Sequence, residues 1–129
     1  MNITSRAVLT GAAGHLGSAL AGALAENGFD VLGIDMAAPA APLPARVAFQ
    51  QVNLLDAPAL RSACEGADLI VHCASIHPWK PYSDAQYHDC NIKGTWNLYS
   101  AAAESGVERV VLTSSIAAVG YHGVPVDAW

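Results

Sequence analysis

Basic side chains are scarce in this chain. Six Lys and Arg stand against eleven Asp and Glu, a formal net charge of −5. A nucleic-acid groove or an anionic membrane surface calls for the opposite balance, so neither partner is expected. Charge of either sign is thin, at 13% of residues, while 53% are hydrophobic. A disordered chain has the reverse composition. Long apolar runs are missing too: none reaches the roughly 18 residues of a membrane-spanning helix. Residues 1–6 are polar with no apolar signal-peptide core behind them, so no secretory signal is expected.

Cysteine is also sparse. Cys64, Cys73 and Cys90 lie far apart with no C-x-x-C pair. An odd, scattered set argues against a disulfide framework and against a zinc knuckle. Small or apolar neighbours flank each one, which predicts buried, reduced thiols in a cytoplasmic protein. The five histidines show neither HExxH nor HxH spacing, so no metal site is expected. What remains is an apolar chain of 129 residues. That suits one domain with a sizeable core; such a chain hides roughly two-thirds of its unfolded surface.

Short β-rich runs alternate with helical spacing. Residues 7–10 form a first strand ending in glycine, and 15–27 carry Leu16, Leu20 and Leu24 at helical spacing before Gly28. Residues 30–35 read as a second strand, 36–46 with three prolines as a loop, and 47–52 as a third strand. Asp56 is placed to cap a short helix running to Glu65, with Pro58 in its first turn. A fourth strand follows at 68–73, a loop at 77–81, one long helix over 83–105, and a fifth strand at 110–113. Residues 120–129 read as irregular. There is no solenoid repeat. Continuously apolar strands alternating with helices predict an α/β, doubly wound parallel sheet covered on both faces.

Gly11, Gly14 and Gly17 follow the first strand and open the first helix. In that context glycines make a tight turn, let backbone N–H groups approach a pyrophosphate, and let the helix pack closely on the strand. The spacing is GxxGxxG rather than GxGxxG, and a plain strand–turn–helix is the alternative. Asp35 ends the second strand about 20 residues on, where a carboxylate accepts the ribose hydroxyls of NAD. It would repel the 2′-phosphate of NADP, and Met36-Ala37-Ala38 offers no arginine to bind one. A solvated strand-end carboxylate is the alternative for Asp35.

Further segments carry a family resemblance. They are Asn53-Leu54-Leu55-Asp56, Val71-His72-Cys73-Ala74-Ser75, Asn91-Ile92-Lys93-Gly94-Thr95-Trp96-Asn97-Leu98, and Val111-Leu112-Thr113-Ser114-Ser115 followed by Val119-Gly120. In order and spacing they resemble the N-terminal part of an extended short-chain dehydrogenase/reductase, of the NAD-dependent epimerase/dehydratase family. The resemblance implies a Rossmann-like sheet of about five strands, in the order 3-2-1-4-5, lacking the C-terminal part. Residues 1–129 would then be an NAD-binding domain without its substrate lobe. It implies that Gly11, Gly14, His15, Leu16, Gly17, Asp35, Met36, Asn53, Leu54, Cys73, Ala74, Ser75, Thr113 and Ser114 line the cofactor. Asn53 stands where the family usually has Asp. The catalytic residues implied are Ser115, which would hydrogen-bond the substrate oxygen, and Asn91, which would shape the site.

Several single residues admit two roles. Gly94 in a helix costs about 1 kcal/mol relative to alanine, which makes sense if the helix packs closely on something. Asn91 is a brace for a neighbouring backbone or an ordinary surface residue. His72 reads as a satisfied core histidine before a catalytic one. Trp79, Tyr82 and Tyr87 fit a substrate wall or simple packing.

The family's proton-transfer pair, Tyr-x-x-x-Lys, does not occur. Tyr82, Tyr87, Tyr99 and Tyr121 are followed four residues on by Gln86, Asn91, Ala103 and Pro125. The resemblance would place the pair beyond Trp129, so a truncated product or fragment is expected, inactive alone and with apolar surface exposed. Its parent would be a homodimeric oxidoreductase, epimerase or dehydratase. It would act on the hydroxyl or keto carbon of a sugar-like or other alcohol, a small-molecule substrate. A non-catalytic NAD-binding sensor or scaffold is the alternative. A hydrolase using Ser115 lacks the GxSxG elbow.

Overall fold

The computed structural model describes residues 5–77 and 79–115. The readings of residues 120–129, of Val119-Gly120 and of Tyr121 lie outside them. Five strands, β1 (Arg6–Thr10), β2 (Asp30–Asp35), β3 (Val47–Gln51), β4 (Leu69–His72) and β5 (Arg109–Leu112), form one sheet in the order β3-β2-β1-β4-β5. Every pairing is parallel. The sequence reading of a doubly wound Rossmann-like sheet holds, order included.

Alternate residues of each strand feed two separate cores. On one face Val8, Ile34 and Ile70 pack with Leu54, Leu60, Cys64, Leu98 and Ala101. These come from α2 (Ala57–Cys64), α4 (Gly94–Glu104) and the turn after β3. On the other face Leu9, Val31 and Val71 pack with Ala21 and Ala25 of α1 (His15–Glu26). Small residues on α1 let that helix lie close. Among the described residues β5 is an edge strand, with Val111 52% and Leu112 45% exposed.

The helix ends follow local chemistry. Asp56 Oδ1 accepts the Ala59 N–H at 3.1 Å and caps α2. Ser83 and Gln86 form a reciprocal capping box at the start of α3 (Asp84–Tyr87). One expectation changes here. Residues 83–105 are not a single α-helix: α3 runs into a π-helical stretch, His88–Lys93, before α4 begins. A π stretch accommodates one extra residue per turn and re-aims the side chains on it. Here it carries Asn91.

The thiols are all free, but only Cys64 is fully buried. Cys73 and Cys90 are partly exposed, a correction to the expectation that all three are buried. Both stand near the carboxyl ends of the strands, where the sheet opens towards solvent.

Candidate cofactor site

β1, β2 and β4 end side by side, and the strand order reverses between β1 and β4. Open α/β sheets bind ligands in the crevice at such a point. The glycine turn lies there. Gly11 has φ +74°, a left-handed conformation that favours glycine. Space forbids a side chain as well: a Cβ on Gly11 would stand 2.8 Å from Ala74 N. Gly17 is needed for contact alone, since its Cβ would stand 2.0 Å from Gly11 O. The Gly14 N–H closes the turn on Gly11 O at 3.0 Å. Gly14 then serves as the N-cap of α1 and places no side chain over the helix end. The first N–H groups of a helix, here those of His15, Leu16 and Gly17, have no partner within the helix. Gly14, His15 and Leu16 are exposed.

Asp35 is tied to this turn. Its Oδ2 accepts the Ala13 N–H at 3.0 Å and its Oδ1 accepts the Ala37 N–H at 3.0 Å. An ionised carboxylate has about four acceptor positions, so each oxygen keeps one for a ligand hydroxyl. Met36 beside it is 60% exposed. The residues fit a dinucleotide on structural grounds. A cradle that a Cβ would fill, an uncapped helix N-terminus for a pyrophosphate, and a half-buried carboxylate for a ribose lie together.

The segment from Asn91 to Leu98 acts as a jig for the surrounding loops. Asn91 Oδ1 accepts the Ile76 N–H at 2.8 Å, and its Nδ2 donates to Ile76 O at 2.9 Å. Both ends of the amide thereby make a contact, and Asn91 positions the loop after β4. Gly94 packs against Leu54, whose Cβ would be 2.9 Å from a Cβ added there. Asn97 Nδ2 donates to Leu54 O at 2.9 Å. Leu54, next to Asn53, is therefore held from two sides. Asn53 Oδ1 accepts the Leu55 N–H at 2.9 Å in a local turn.

Thr95 completes the segment. Its Oγ1 lies 2.8 Å from His72 Nε2, while His72 Nδ1 lies 2.6 Å from Thr10 Oγ1. His72 is 1% exposed with both ring nitrogens partnered, the satisfied core histidine expected from its position. Burial pushes its pKa below the ordinary histidine range. Thr10 and Thr95 were not singled out from the sequence. For Thr10 the signal is partial: a hydroxyl at the end of a buried strand must find a partner, but the partner is set only by the assembled fold.

The backbone of Cys73 and Ala74 runs against the glycine turn, and Ser75 follows, exposed. Burial raises the Cys73 thiol pKa, and a hydrogen bond with the Thr113 side chain works against that. Thr113 is anchored by its N–H and its hydroxyl, both donating to His72 O at 3.0 Å. Ser114 and Ser115 follow and are exposed at the same rim. Trp79 is 77% exposed and stacks on His77, with ring centroids 4.6 Å apart. Tyr87 Oη lies 2.9 Å from His77 O and 2.8 Å from Lys80 O, its one proton shared between them. Tyr87 therefore braces the loop, while Trp79 faces solvent.

The geometry has relatives. A mycobacterial protein of unassigned function from Mycobacterium bovis is 37% identical over 110 residues, 85% of this chain but 12% of that protein. A uronate dehydrogenase from Pseudomonas syringae is 31% identical over 118 residues, 92% of this chain and 42% of the enzyme. The crystal structure of uronate dehydrogenase from Agrobacterium tumefaciens superposes with a TM-score of 0.78 at 36% identity, covering 92% of this chain and 43% of that one. A mutant of that enzyme has been solved in complex with NAD. The chain thus spans about two fifths of the length of these dehydrogenases. The model of the NAD-dependent epimerase/dehydratase family matches residues 7–127, and this chain belongs to that family.

Proposed function

We propose that this chain is the NAD-binding portion of an oxidoreductase, epimerase or dehydratase acting on a hydroxyl or keto carbon of a sugar-like or other alcohol. The observation that carries this reading is the contact between Asp35 and the Ala13 N–H, which fixes a carboxylate at the mouth of the glycine turn. The turn and the N-terminus of α1 would hold the pyrophosphate, and Asp35 the adenosine ribose. Leu54, Ala74 and Ser75 would line the adenosine side, with Thr113 and Ser114 on the nicotinamide side. When bound, NAD supplies or accepts a hydride. Ser115 would hydrogen-bond the substrate oxygen, and Asn91 would hold residues 73–76 in place. The mutual fit with the uronate dehydrogenases supports a sugar acid or sugar alcohol as substrate class.

The given sequence has no Tyr-x-x-x-Lys. Proton transfer would have to come from elsewhere in the whole protein, and this chain is proposed to bind without turning over. A second reading is a non-catalytic NAD-binding module. Asn91 does not separate the two, because its contact with Ile76 gives it a structural role in either. Ile92, Trp96 and Tyr99 share one helical face at 62%, 72% and 39% exposure. That face suits a homodimer contact in the whole protein. Among the described residues no helix is long and apolar enough to cross a membrane, and the free thiols suit the cytoplasm.

Calorimetry with NAD and NADP tests the cofactor reading. NAD is expected to bind, NADP to bind much more weakly, and Asp35→Ala to weaken NAD by about tenfold or more, the worth of one or two hydrogen bonds. A folded chain that binds neither nucleotide would sink the reading. Oxidation of candidate alcohols by the whole protein, and its loss in Ser115→Ala, would separate the enzyme from the binding module.

A further inference from the structure

Thr10 Oγ1 has one proton and two lone pairs. The Cys73 and Ala74 N–H groups, at 3.2 and 3.1 Å, use the lone pairs. The proton therefore goes to the remaining neighbour, His72 Nδ1, at 2.6 Å. A ring nitrogen that accepts carries no proton, so the neutral ring holds its proton on Nε2. Thr95 Oγ1 receives that proton at 2.8 Å and donates its own to Asn91 O, also at 2.8 Å. Every donor in this buried chain points the same way, from the loop after β4, through Thr10, His72 and Thr95, to the π stretch.

Both ends of the chain touch the site. Ala74 N is the atom a Cβ on Gly11 would strike, so the amide that Thr10 holds is the one packed on the glycine turn. At the far end, Asn91 clamps Ile76, two residues beyond Ala74. Residues 73–76 are thus pinned by Thr10 at one end and Asn91 at the other, and His72 joins the two pins. Burial that keeps the ring neutral suits this arrangement, because a second ring proton would face the Thr10 hydroxyl proton.

We propose that His72 is a positioning residue for the cofactor site: its Nε2–H tautomer makes Thr10 an acceptor for the Ala74 amide and so sets the gap between residues 73–76 and the Gly11 turn. This rests on the reading of the glycine turn as an NAD site. A histidine that only fills the core would be indifferent to which of its nitrogens is replaced.

Two variants separate these roles. His72→Asn places an amide oxygen near the position of Nδ1 and keeps an acceptor for Thr10. His72→Gln places an amide nitrogen near the position of Nε2, keeps the link to Thr95, and leaves the Thr10 proton without its acceptor. Both lose the ring, and urea midpoints for the two are expected to fall similarly. NAD affinity by calorimetry is expected to stay within about threefold of wild type in His72→Asn and to weaken by about tenfold in His72→Gln, one hydrogen bond's worth. Wild type that binds NAD together with equal weakening in the two variants overturns this proposal alone. A folded wild-type chain that binds no NAD overturns the site reading and this proposal with it. If neither variant folds, nitrogen NMR of the wild-type imidazole decides: an Nε2–H ring near pH 7 supports the proposal, and an Nδ1–H ring or an imidazolium overturns it.

Discussion

Asn91 and Ile76 meet in a two-point contact, the side-chain amide of one paired with the backbone N–H and C=O of the other at 2.8 and 2.9 Å. The pair is partly buried, so water replaces it only in part when it is broken. Asn91→Ala is expected to cost about 1–3 kcal/mol, since the Ile76 C=O loses this partner and the Ile76 N–H keeps only the Cys90 thiol. Asn91→Asp should be no better, because a carboxylate cannot donate to Ile76 O. Urea unfolding checks both. Faster hydrogen exchange at Ile76 in Asn91→Ala would tie the loss to this contact, and unchanged exchange there would refute the clamp.

Gly17 and Gly28 separate steric need from conformational need. Gly17 has an ordinary helical backbone, but a Cβ on it would lie 2.0 Å from Gly11 O. Gly28 has φ +89° and open space where a Cβ would go. Gly17→Ala is therefore expected to cost about 3 kcal/mol or more through overpacking against backbone that cannot yield. Gly28→Ala should cost only about 1–2 kcal/mol, the strain of a left-handed alanine. Thermal unfolding of the two variants measures the contrast. Equal losses would mean that α1 can slide away from the glycine turn.

Much of this was legible from residue order, and the misses share a cause. β2 was read with its observed ends because Asp30 and Asp35 bracket a continuously apolar run. The cap at Asp56 was legible because capping is local chemistry within three residues. The π stretch was not, because only Cys90 and Ile92 are apolar within it, too few to show a shift of helical phase. Its Asn91 reaches Ile76, 15 positions away. The site residues Gly11, Gly17 and Asp35 were legible through their fixed spacing. Thr10 and Thr95 were not, since their partner His72 becomes a neighbour only when β1, β4 and α4 assemble. Gly94 within a helix implies a close contact, and the fold identifies it as Leu54.

The three thiols should label in a set order. Cys64 is fully buried, and burial pushes its pKa up to about 11 despite the nearby Arg6. Cys90 is partly exposed, its pKa raised by burial, with a hydrogen bond from the Ile76 backbone opposing and the Asp35 charge adding. A thiol-reactive disulfide reagent at neutral pH is expected to modify Cys73 and Cys90 slowly, because only the thiolate attacks. Cys64 should react only after unfolding. Mass spectrometry of the partly labelled chain identifies the order. Early labelling of Cys64 would show that α2 opens readily.

Stability should fall on both sides of neutral pH, for opposite reasons. His72 has its pKa lowered by burial. Below about pH 6.5 the unfolded chain binds a proton at this residue that the folded chain refuses. Its contribution is therefore complete above that pH and is lost as pH falls towards the folded value. Cys64 works in the other direction, with a pKa of about 11 in the fold against 9.0 for a free thiol. Above pH 9.0 the unfolded chain releases a proton that the folded chain keeps. Stability from this group is complete below that pH and declines as pH rises through about 11, by about 2–3 kcal/mol in total. Urea midpoints across pH 5 to 11 should thus trace a dome. Cys64→Ala should shrink the alkaline limb, with the raised Cys73 and Cys90 thiols keeping part of it, while lowering the plateau, since it also leaves a small void in the core cluster that holds Leu60 and Leu98. An alkaline limb of unchanged size in Cys64→Ala would assign the loss to other groups.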